Sequence, residues 1–275
     1  MANPLRAVAL VRGLVLILAL GIAVPQYAAD RQRIATINVA ATSLFTYLSC
    51  VVQKKVKSWR DAGRCFAAGA VAGVGFYQSK RLAADGHITR AWLVANAATS
   101  LVENTTAGEH PLSRLGYTFG PLRLRVVTPF DREQESLVDV DVTAVEIGYL
   151  ARAIGDADDV DIRDGMIWWE TRDRLVEDDR IFTGYTWGIY PGLWERARDA
   201  TRNHEAVHAI QSLQLDSVDP PAFTEEEGRR LIRIRHFRLG ALNFADNVYY
   251  GTRPYHDRWG EIEAYRFADD TSPPR

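Results

Sequence analysis

Histidine, cysteine and long apolar runs are all scarce in this 275-residue chain, and each scarcity narrows what it can be. Two cysteines, Cys50 and Cys65, cannot build a disulfide framework. Neither sits in a thiol motif or close enough behind the amino-terminal apolar run to carry a lipid. They read as structural, forming one disulfide between neighbouring helices if the protein is exported. Neither sign of charge dominates: 33 Lys and Arg against 35 Asp and Glu leave a formal charge of -2. That balance gives no electrostatic footing for nucleic acid as a partner. Internal repeats and low-complexity linkers are also missing, so repeat architectures drop out. What remains is enough apolar content for one large domain or two modest ones.

The charges are unevenly placed. The chain up to about residue 125 is rich in Arg and Lys, whereas 131–179 is acid-rich. A basic part near a membrane surface and a more acidic soluble part follow from that asymmetry. Arg6 and Arg12 precede an unbroken apolar run at 13–24, with small residues at Gly21, Ala23, Ala28 and Ala29. That is the pattern of a signal peptide, and the run is short for a spanning helix. Residues 1–29 are therefore read as a signal peptide or amino-terminal anchor, and the protein as exported.

Residues 30–107 read as helical and membrane-associated. The stretch 34–53 carries no charge but is diluted by Thr, Ser and Asn, and a basic cluster of Lys54, Lys55, Lys57 and Arg60 follows. The Gly69-x-x-x-Gly73 spacing would let another helix approach closely. A packed or interfacial hairpin is expected here, then a third helix over 89–103. From about residue 108 the texture changes. Alternation over 117–127 is a strand signal, with further strands expected at 136–147, 159–162, 166–170 and 180–190. A helix over 201–215 is ended by Pro220-Pro221, another helix is expected to start at Thr224, and 231–237 fits helix or strand. The last helix is expected over 258–268. Residues 108–275 thus form a β-rich region joined to a helical end, and the fold class is α+β.

The chemistry lies in that end. His204-Glu205-Ala206-Val207-His208 is an H-E-x-x-H, which on a helix puts two imidazoles on one face. Zinc takes imidazole nitrogen readily, and a catalytic site needs three protein ligands and an open position. Glu205 stands where it could take a proton from water in that position. The metzincin third histidine is absent: Asp216 and its neighbours supply none. The third ligand is left among Glu261, Glu263 and His256. Tyr249, Tyr250 and His256 are the candidate oxyanion donors. The aromatic stretch 181–190 reads as core or as a sheet-edge strand able to pair with an extended peptide.

The H-E-x-x-H, followed by Glu261-Ile262-Glu263-Ala264-Tyr265, resembles the gluzincin branch of the zinc metallopeptidases. The resemblance implies a zincin-like carboxy-terminal part in which His204, His208 and Glu261 hold Zn2+ and Glu205 is the general base for peptide or protein substrates. The departure is Tyr265, where family members carry an aspartate that orients a ligand histidine; Asp257 or Asp269 could substitute. Residues 75–82 and 120–124 look like uncharacterised bacterial envelope proteins, which implies a periplasmic or membrane-anchored location in the cell envelope. The alternative reading is a non-catalytic structural or interaction protein of the envelope with a degenerate or structural zinc site.

Overall fold

A computed structural model describes residues 29–131, 137–172, 175–177, 180–197, 199–219, 221, 223–224, 232–251 and 259–267. The stretch 1–28, read as most of a signal or anchor, lies outside them. The described chain is a mixture of helix and sheet. Three long helices come first: α1 (Ala29–Val52), α2 (Trp59–Ala84) and α3 (Ile88–Thr106). They lie side by side with α2 in the middle. Small residues allow this. A Cβ on Gly69 would meet Ser43 Cα at 2.6 Å, and one on Gly73 would meet Val39 Cα at 2.6 Å, so only glycine lets α1 cross there. The Cys50–Cys65 disulfide ties the same two helices.

The strands form two main sheets. β1 (Arg114–Phe119), β2 (Leu122–Val127), β3 (Val138–Thr143), β10 (Phe223–Thr224) and β11 (Ile232–Arg238) make the first, in the order β1-β2-β3-β11-β10. The β1–β2 hairpin turns at Gly120, whose φ of +58° suits glycine. This sheet is turned inside out. Arg114, Arg123, Arg125, Asp139 and Asp141 are buried, whereas Leu115, Leu122, Leu124 and Val126 are exposed. The cause is α3, which offers the first two strands a polar face of Asn96, Ser100, Glu103 and Asn104. Arg123 Nε donates to Glu103 Oε2 at 2.6 Å, and Arg114 bridges Asp131 and Asp139 at 2.7 and 3.0 Å. Asn104, in the only Asn-x-Thr sequon of this region, is fully buried and donates to two backbone carbonyls.

The second sheet runs β4-β5-β9-β8, from β4 (Asp159–Arg163), β5 (Met166–Thr171), β8 (Gly184–Trp187) and β9 (Tyr190–Trp194). β6 (Leu175–Glu177) and β7 (Arg180–Phe182) pair separately. The expected strand over 180–190 is therefore broken into pieces, with a turn at Gly188, where φ is +57°. Pro191-Gly192 lies inside β9, because Gly192 fits beneath the Trp169 ring where a Cβ would collide. The strand expected over 136–147 stops at Thr143. There α4 (Ala144–Asp156) begins, since Glu146, Tyr149, Leu150 and Ala153 recur at helical spacing against the core. Thr224 lies in a short strand, while 225–231, where a helix is expected to run on, lies outside the described residues; from Ile232 the ambiguous segment is strand β11, parallel to β3.

Three helices complete the chain: α5 (Asp199–Val218), α6 (Ala241–Gly251) and α7 (Trp259–Phe267). α5 is the hub. It packs on α2 and α3 from one side and on β8 and β9 from another. One continuous apolar core joins Phe76 and Trp92 of the first helices to Trp168, Trp169, Ile210, Leu213 and Ala264.

Candidate metal centre

The expected motif helix is α5, three residues longer at its carboxy end than its spacing predicted, and the expected last helix is α7. Ala206, Val207, Ile210 and Leu213 are buried on α5 and anchor it in the core, which fixes where the residues between them point. His204 and His208 turn their Nε2 atoms towards each other at 3.0 Å. Glu261 Oε2, from the first turn of α7, lies 3.3 Å from His204 Nε2 and 3.4 Å from His208 Nε2. Two nitrogens and one carboxylate oxygen therefore converge from two helices, and the group can hold a metal ion. Ligands about 2.0–2.1 Å from a tetrahedral zinc stand about 3.3 Å apart, so the spacing suits that geometry.

Charges inside the group are tightly coupled. Burial opposes ionisation of Glu261, yet the two imidazoles hold it well below the usual carboxylate range. Burial likewise opposes protonation of His208, but Glu261, Glu205 and Gln211 together push it up to about 9. Glu205 is 5% exposed. Burial raises its pKa, with His208, His204 and Thr186 acting in the opposite direction. Thr186 Oγ1, on β8, donates to Glu205 Oε2 at 2.7 Å. Gly184 makes the room, since a Cβ there would lie 2.7 Å from Glu205 Cγ.

The two rivals for third ligand separate. Glu263 is 1% exposed and points elsewhere: its carboxylate takes Lys80 Nζ at 2.8 Å, Asn38 Nδ2 at 2.5 Å and Gln211 Nε2 at 2.7 Å. Two residues along a helix is about 200°, so Glu261 and Glu263 cannot share a face. His256 lies outside the described residues, as do Asp257 and Asp269 and the side chains of Tyr249 and Tyr250. His87 and His110 are exposed and distant in the chain from the group.

Gln211 is the residue the motif did not reveal. Its Nε2 donates to Glu263 Oε2 and to the Gly260 carbonyl at 3.1 Å, which fixes the amide so that Oε1 faces His208 Nδ1 at 2.8 Å. An oxygen acceptor there puts the proton on Nδ1 and frees the His208 Nε2 lone pair for a metal. Gln211 thus orients His208. Tyr265 packs its ring against His204 at 4.6 Å between centroids. The sequence signal for Gln211 was weak: a polar residue three positions after His208, on the ligand face. Gln211→Leu is expected to weaken metal binding at this group about 10- to 100-fold, read by competition with a chelating dye.

A cavity of about 290 Å³ lies on the α1 side of α5, walled by Ile37, Phe45, Leu215 and Val218 together with Lys80 and Glu263; it reaches Gln211 and Gly260, and none of the three converging side chains lines it. Comparison of the chain with protein-family models, with curated proteins and with solved structures gives no match.

Proposed function

We propose that the protein is a zinc-dependent metallopeptidase of the bacterial cell envelope. The observation that carries this reading is the convergence of His204, His208 and Glu261 with Glu205 buried beside them. Two histidines and a glutamate are the donor set of a catalytic zinc, where three protein ligands leave one position for water or substrate. A zinc ion held there would supply Lewis acidity towards a peptide carbonyl and acidify a water towards neutrality.

The chain's own groups perform the rest. Glu205, held by the Thr186 hydroxyl, accepts a proton from the attacking water and returns it to the departing amide nitrogen. β8 is an edge strand of its sheet among the described residues, and it lies against α5. An extended peptide added to that edge would bring its carbonyls alongside the metal ligands. The Cys50–Cys65 disulfide supports a compartment outside the reducing cytosol.

The test is hydrolysis of unfolded casein by the purified full chain. Activity is expected to vanish with a chelator and to return with zinc. Glu261→Ala is expected to lose both zinc and activity, whereas Glu263→Ala still binds zinc, more weakly because Gln211 loses a partner, and is less stable. A wild-type protein that binds zinc but cleaves no unfolded protein would sink the peptidase reading and favour a structural zinc site. Zinc lost only from Glu263→Ala would overturn the ligand assignment.

A further inference from the structure

The α1–α2–α3 layer is apolar on the wrong side. Leu48, Val51 and Val52 of α1, Val71 and Val74 of α2 and Leu93 of α3 are all exposed, at 43–64% of their surface. The inward side of α1 is instead polar: Asn38, Thr42, Ser43, Thr46 and Ser49 are buried. A helix that buries its hydroxyls and exposes its aliphatic residues has its apolar stripe aimed at something other than this protein's core.

The charges identify the missing neighbour. Between residues 29 and 107 the sequence has ten Lys or Arg and four Asp or Glu. Lys54, Lys55, Lys57 and Arg60 crowd the exposed α1–α2 corner at one end of the apolar stripe. The acid at that corner, Asp61, is occupied at the helix start, where it accepts from Ser58 Oγ and Lys57 N. Trp59, 49% exposed, stands among these cations. An exposed apolar stripe flanked by lysines and an exposed tryptophan has the chemistry of a bilayer interface carrying anionic headgroups.

α1 is long and apolar enough over Gln32–Val52 to cross a membrane. Its buried contacts argue for lying on the surface instead. Asn38 binds both Lys80 and Glu263, and Thr42 accepts from Gln214 Nε2 at 2.8 Å. A spanning α1 would drag that ion pair and the charged α5 into hydrocarbon, at a cost of several kcal/mol per charge. We propose that the outer face of the α1–α2–α3 layer docks on an anionic lipid bilayer, its aliphatic stripe in the interface and the Lys54–Arg60 corner against the headgroups.

The test must separate this face from the apolar run at 13–24, so it reads position rather than sedimentation alone. Full-length Val71→Cys and, as control, Ile147→Cys on α4 are labelled with an environment-sensitive fluorophore. Each is mixed with phosphatidylcholine vesicles with and without phosphatidylglycerol. The label at 71 is expected to report an apolar environment only on the anionic vesicles, and the label at 147 to remain aqueous on both. Lys54→Gln, Lys55→Gln and Lys57→Gln together should weaken binding roughly a hundredfold, at about a fivefold loss per lysine. If the protein sediments with vesicles while the label at 71 stays aqueous, the amino-terminal run alone holds the membrane and the proposal falls. It falls equally if the label at 71 turns apolar without lipid as the protein dimerises, which would make the occupant a second copy.

Discussion

Glu205→Gln is expected to lower hydrolysis of an unfolded protein by about 10²- to 10⁴-fold while leaving zinc content and fold intact. Glutamine is close to isosteric with glutamate, and its amide oxygen can still accept from Thr186 Oγ1, which now sits 2.7 Å from Glu205 Oε2. The tight fit over Gly184 is therefore kept. What disappears is basicity at the atom that faces the ligands. His204, His208 and Glu261 are untouched, so metal analysis should return the same stoichiometry as wild type. The outcome that refutes the assignment is equal activity in the variant, because the proton must then go elsewhere. Loss of zinc along with activity would show that Glu205 supports the ligands instead of the reaction.

The part of this site that could be read in advance was the part encoded by local spacing. His204 and His208 share a face because they are four apart on one helix, and that follows from helix geometry alone. Glu261 needed the resemblance, since nothing local distinguishes it from Glu263. The two are told apart by what lies across from each: two imidazoles face Glu261, while Lys80 and Asn38, about 180 and 220 residues earlier, face Glu263. Long-range partners of this kind leave no periodic trace. The same limit explains β2. Its alternation of Leu and Arg marked a strand correctly, but period two says only that two faces differ. Which face is inside was decided by Glu103 and Asn96 on α3, and it is the arginine face. α4 and α6 were missed for another reason. Each is short and follows directly on a strand or loop whose β-branched residues gave the stronger signal.

Lys80→Met is expected to destabilise the protein by about 3–5 kcal/mol, the cost of leaving a buried partner charge uncompensated. Lys80 is 2% exposed and spends its three protons on Asn38 Oδ1, Gln214 Oε1 and Glu263 Oε2, at 2.8–2.9 Å. Methionine fills similar volume but donates nothing, so Glu263, 1% exposed, keeps only two amide donors. The measurement is denaturant unfolding of wild type, Lys80→Met, Glu263→Leu and the double variant. A coupled ion pair requires the double variant to recover much of the loss, whereas additive losses would show that each residue acts through packing alone. A second readout links the pair to the metal. Gln211 is held by Glu263 and in turn holds His208, so a Glu263 released from Lys80 should loosen the ligand histidine as well. Zinc affinity of Lys80→Met, measured below its unfolding transition, should therefore fall even though Lys80 touches none of the three ligands. Unchanged affinity would mean that Gln211 keeps its place without the ion pair. The polar strut from α2 through α7 to α5 would then serve stability only.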